Sequence, residues 1–73
     1  MIKLADLPYT LEEGMKISHT VPCFNGSFTY EYEIMGITQY SDDRNDLITL
    51  VNDHIPPMDV EPAWFLNRKV KFA

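Results

Sequence analysis

Seventy-three residues allow one domain, because a second core would have too few side chains to close. At 45% hydrophobic and 12% aromatic the composition is that of a folded chain and excludes intrinsic disorder, while a single cysteine, Cys23, excludes a disulfide-stapled miniprotein. Residues 1–61 hold all eleven acids against Lys3, Lys16 and Arg44, a balance of −8, whereas residues 62–73 hold Arg68, Lys69 and Lys71 with no acid. An acidic body repels nucleic-acid phosphate, so direct nucleic-acid binding is disfavoured.

No apolar run reaches the length of a membrane span, and the opening MIKLADLPYT lacks the apolar core of a signal peptide. The expectation is a soluble, cytoplasmic, monomeric module without a membrane role. Along the chain, Thr10 and Glu13 have the spacing of a capping box, and Gly14 can take a left-handed stop; one helical turn fits there. Met15–His19 then alternates as a half-buried strand, with Met15 and Ile17 on one face.

Residues 21–26 read as a loop closed by Asn25-Gly26, a pair suited to positive φ. The strongest pattern follows. Phe28, Tyr30, Tyr32 and Ile34 alternate with Ser27, Thr29, Glu31 and Glu33, which predicts a strand with one buried and one wet face. Gly36 marks a bend or bulge before Ile37–Tyr40. Residues 41–46 form a polar turn, and Leu47–Val51 is a β-branched strand. Pro56-Pro57 forbids a central strand. Asp59 can cap a helical turn through Val60–Ala63, and Lys69–Phe72 closes the chain as a short strand with Val70 and Phe72 on opposite faces.

The order is five short strands with one helical turn before the last, an all-β or β-rich α+β chain. It resembles the Src-homology-3-like small β-barrel. Leu11-Glu12-Glu13-Gly14-Met15-Lys16-Ile17 is similar to the segment that opens that barrel's second strand. Glu61-Pro62-Ala63-Trp64-Phe65-Leu66 is similar to its Pro-x-x-aromatic turn, with Phe65 as the aromatic. The resemblance implies a closed five-stranded barrel. The tryptophan that peptide-binding members carry between their middle strands is absent, so it does not imply proline-peptide recognition. In size, acidity and lack of catalytic motifs the chain also resembles the small proteins with which bacteriophages seize host enzymes, RNA polymerase among them.

Chemistry is thinly supplied. Cys23 lies four extended residues from His19, a span of about 13 Å, so His19 reaches the thiol only if Val21-Pro22 folds back, and the expectation is a core or loop thiol. His19, Cys23 and His54 fall one ligand short of a structural zinc set. The acidic run at 42–46 lacks the central glycine and closing glutamate of a calcium loop. These readings predict no enzyme, no cofactor and no metal. Phe28, Tyr30 and Tyr32 are expected in the core, because base stacking would need basic neighbours and these are Glu31 and Glu33.

The candidate contact residues are Asp42, Asp43 and Asp46, to meet a basic patch, with Trp64, Phe65, Arg68 and Lys69 supplying an aromatic and cationic anchor. The partner expected is a host or cellular protein, RNA polymerase being one candidate. The alternatives are an acidic mimic of nucleic acid and a single-strand nucleic-acid module that uses Arg68, Lys69 and Lys71.

Overall fold

The computed structural model describes residues 2–73. Five antiparallel strands make one sheet: β1 Lys16–Cys23, β2 Gly26–Thr38, β3 Leu47–Val51, β4 Met58–Val60 and β5 Val70–Phe72. Their spatial order is β4-β3-β2-β1-β5. One helical turn, α1 Pro62–Leu66, precedes the last strand, as the sequence suggests. The number of strands agrees with the sequence, but their identity does not. Ile37 and Thr38 belong to the continuous β2, and the fifth strand is β4, placed just after Pro56-Pro57 where an edge strand tolerates it.

The sheet does not close into a barrel. β4 and β5 remain as its two edges, each three residues long and each paired on one side only. The chain between them is taken up by α1, which spans the core face instead of bringing the edges together. Pro62 and Phe65 of α1 are buried there.

The core lies on one face of the sheet. Ile17, Ile34, Ile48, Leu50 and Val60 point into it from the strands, Phe65 from α1, and Leu7 and Leu11 from the N-terminal segment. Fully burying one such side chain stabilises by about 1.5–3 kcal/mol, so this small set carries most of the fold. A register shift between Ile34 and Gly36 keeps both Ile34 and Ile37 on the core face, opposite Leu50 and Ile48. Val70 and Phe72 pair with His19 and Ile17 and therefore share this face, because residues two apart in a strand point the same way.

Two local expectations change. Residues 10–13 form no helix; the helical turn of the N-terminal segment is a 3-10 turn at Leu4–Asp6, where the Lys3 N–H donates to Asp6 Oδ2 at 2.8 Å. Gly14 does take the left-handed conformation, at φ +87°. Asp59 caps nothing: it lies in β4 and accepts from Thr49 Oγ1 at 2.6 Å, while Glu61 and Pro62 begin α1.

Candidate aromatic interface

Residues 21–26 are not a loop. β1 runs to Cys23, pairs with Gly26, and turns through Phe24 and Asn25, with Gly26 at φ +129°. The β1–β2 hairpin therefore reaches beyond its neighbours. β5 leaves β1 at His19 and β3 leaves β2 at Glu33. Every residue from Thr20 to Glu31 is exposed, and the molecule measures 44 × 22 × 19 Å. We call this projecting hairpin the arm.

The register assigns the arm's two faces. Val21, His19 and Ile17 pair with Phe28, Tyr30 and Tyr32, so all six share the face that continues the core. The expectation that Phe28 and Tyr30 are core residues is overturned: they are 56% and 41% exposed, because no element lies over the arm. What the alternation defines instead is a bare aromatic face.

Its rings are ordered. Phe28 and Tyr30 have centroids 4.8 Å apart, and Tyr30 and Tyr32 lie 11° from parallel at 6.5 Å. His19 stacks on both tyrosines, at 5.2 and 6.0 Å. The half-buried Trp64 of α1 meets His19 and Tyr32 edge-on, at 5.4 and 5.9 Å. Such contacts add about 0.5–1.5 kcal/mol each beyond area burial, so the rings hold one another in place.

Arg68 completes the face. Its guanidinium lies 4.5 Å from the Trp64 ring centroid and donates to the Trp64 carbonyl at 3.2 Å. Burial holds the His19 pKa below the usual histidine value, and the Arg68 charge adds to the effect. Burial also raises the Tyr32 hydroxyl. Alternation puts Glu31 and Glu33 on the opposite face, so the aromatic face presents a cation on an otherwise acidic protein.

The other expected contact residues disperse. Phe65 is 1% exposed and is core, touching Trp64 edge-on at 5.0 Å. Asp46 is 3% exposed and serves its own turn: it accepts from the Leu4 N–H at 3.0 Å and the Tyr40 N–H at 3.3 Å, and pairs with Lys3 at 3.7 Å. Asp42 is exposed but pairs with Arg44 at 2.8 Å, which also packs over the Tyr40 ring. Asp43 and Lys69 are exposed. The acidic turn is thus partly neutralised within itself and stands apart from the aromatic face. Sequence reasoning found Trp64 and Arg68, missed Phe28 and Tyr30 as surface residues, and missed the buried His19 that stacks on the tyrosines.

Cys23 is exposed near the arm's tip, its thiol 3.6 Å from the Val21 carbonyl. Among the described residues no three His, Cys, Asp or Glu side chains group as metal ligands, and no helix is long and apolar enough to cross a membrane. The chain matches no family model, no curated protein and no solved structure.

Proposed function

We propose that this chain is a non-enzymatic protein-binding module of the phage-regulator type, which docks on a host protein, transcription machinery foremost, and blocks or redirects it. The observation that supports it is an ordered ring face on which Phe28, Tyr30 and Arg68 are exposed and Tyr32 and Trp64 half-buried, with the buried His19 stacked against the tyrosines. Rings of this kind beside an arginine are the composition of an interface hot spot, and stacking has already restricted their freedom. Anchoring is thereby assigned to the arm and α1, and the acidic turn loses the leading role. The neighbouring order of β5 and β1, with a helical turn before β5, supports kinship with the Src-homology-3-like topology in an open form.

The test is affinity capture from a bacterial extract with wild type and with the double variant Phe28→Ala, Tyr30→Ala. Loss of the captured species with the variant, at unchanged fold, is the expected result. Equal capture by both would remove the aromatic face from the proposal.

One observation favours a second reading. Stacked rings with a guanidinium at their rim can also hold unpaired bases, at about 1–3 kcal/mol per stacked base. Against it stand the net charge of −5 and the position of Lys71, which pairs with Ser18 and so points to the opposite face. Quenching of Trp64 emission by oligothymidylate at low salt separates the two. The acidic-mimic reading fares worse, because Lys16 and Lys71 interrupt Glu31, Glu33 and Asp59 on their shared face.

A further inference from the structure

The arm has two open backbone edges, and they are unlike. The Ile34 N–H donates to the Met15 carbonyl at 2.9 Å, so Ile34 turns its peptide groups toward β1. Strand alternation then turns Tyr32, Tyr30 and Phe28 toward β1 as well, and turns Glu31, Thr29 and Ser27 outward. β3 uses this outer edge only as far as Glu33, so the N–H and C=O groups of Ser27, Thr29 and Glu31 face solvent with no strand beside them. On the far side of the arm β1 carries Pro22, opposite Ser27, which removes a donor and guards that edge. The β2 edge has neither proline nor lysine.

We infer that two copies of this chain pair through the outer edge of β2, antiparallel and two-fold about Thr29, joining their sheets into one. In this register Thr29 exchanges both backbone hydrogen bonds with Thr29 of the second copy, and Ser27 does so with Glu31. All three outward residues are satisfied. Each Phe28 then faces a Tyr30 of the other copy in the closer, non-hydrogen-bonded type of pair, an aromatic match on the already aromatic face. On the opposite face Glu31 meets Ser27, and no acid meets an acid. The tip of each hairpin, with Phe24 fully exposed, arrives at the end of the other copy's β3, where Val51 and Ile55 line an open cleft. This register is self-complementary in hydrogen bonding, ring packing and charge, which singles out a second copy as the occupant.

A strand-edge contact lies at the small end of specific interfaces, and both copies carry −5, so the pairing depends on concentration and strengthens with salt. It deepens the proposed function, since a joined sheet doubles the aromatic platform, but its test is independent of any partner.

The measurement is sedimentation velocity of the full chain from micromolar to millimolar concentration at low and high salt. It is paired with amide hydrogen exchange at both ends of the concentration range. The expected result is a rise to twice the monomer mass, with new protection at Ser27, Thr29 and Glu31. Thr29→Lys, which sets two cations face to face across the two-fold, should leave the protein folded and monomeric. Thr29→Pro, which removes the central donor as Pro22 does on the other edge, should do the same, and Thr29→Lys alone decides if the proline variant unfolds. Monomer mass at every concentration would overturn the pairing and leave the aromatic face as a site for other proteins. A doubled mass that survives Thr29→Lys would also overturn it, by moving the contact to the ring face itself.

Discussion

His19 and Tyr30 oppose one another across β1 and β2 with their rings 5.2 Å apart and 23° from parallel, at the point where the pairing of β1 with β5 stops and the bare arm begins. The imidazole therefore belongs to both halves of the molecule. It is only 9% exposed, yet everything beyond it on the same face is in solvent.

That position makes the arm's root sensitive to pH. The His19 pKa is held below its usual 6.5 by burial first and by Arg68 second; its other neighbours, Tyr30, Tyr32, Trp64 and Val70, are uncharged at neutral pH. Between the lowered native value and 6.5 the unfolded chain binds more protons than the folded one. Stability is accordingly complete above 6.5, falls as pH drops below it, and levels off beneath the native value. Urea midpoints between about pH 8 and pH 5 for wild type and His19→Gln check this, and the slope attributable to His19 should vanish in the variant.

Phe28 and Trp64 should separate binding from folding. Phe28→Ala removes a ring that is 56% exposed and should change stability by less than about 1 kcal/mol, while costing a bound partner about 2 kcal/mol. Trp64 packs against the core and meets three other rings, so Trp64→Ala should lower stability by about 2 kcal/mol as well as weaken binding. Denaturant midpoints combined with dissociation rates give the two-by-two comparison.

Two glycines should respond in opposite directions. Gly14 sits at φ +87°, where a Cβ crowds the backbone, so Gly14→Ala should cost about 1–2 kcal/mol although the surrounding space is open. Gly36, beside the bulge, has no positive φ and nothing near a built Cβ, and Gly36→Ala should be neutral or stabilise by up to about 1 kcal/mol. Thermal unfolding of both variants is the check.

The acidic turn divides in the same manner. The Asp46 carboxyl is held below the usual carboxylate range, first by the Leu4 N–H and also by the Tyr40 N–H and Lys3, so its stabilisation is present above pH 3.8 and is lost as pH falls through the lowered value. Asp46→Ala should lower the melting temperature by releasing the N-terminal segment, and that loss should fade in acid. Asp42 is held low chiefly by its Arg44 hydrogen bond. Asp42→Asn with Asp43→Asn should therefore leave partner association and its salt dependence nearly unchanged; a marked slowing at low salt would return the turn to the contact surface.

The alternation of β2 was plain in residues 27–34, and so was its side assignment, with the rings on one face and the acids on the other. Whether that ring face is covered was not legible. A period-two pattern is the same for a buried strand and a bare one, and the difference here lies in where β3 and β5 stop. β4 was hidden for a related reason: Met58-Asp59-Val60 is too short to show a period, and it pairs only because Ile48–Leu50 offers an edge. Asp46 looked like one surface acid among three, since its hydrogen bond to Leu4 joins residues 42 apart in sequence. α1 could be located from Pro62 and its aromatics, but which of Trp64 and Phe65 faces inward was settled by the crossing from β4 to β5.

Trp64 is the only tryptophan in the chain. It lies where folding and the His19 proton change its surroundings, and where the proposed partner would dock. The protein therefore carries its own optical reporter. Unfolding strips the indole of Phe65 and Tyr32, acid places a charge at its edge, and a bound surface excludes water from its free side, so emission wavelength and intensity together can follow all three events without a label or a tag.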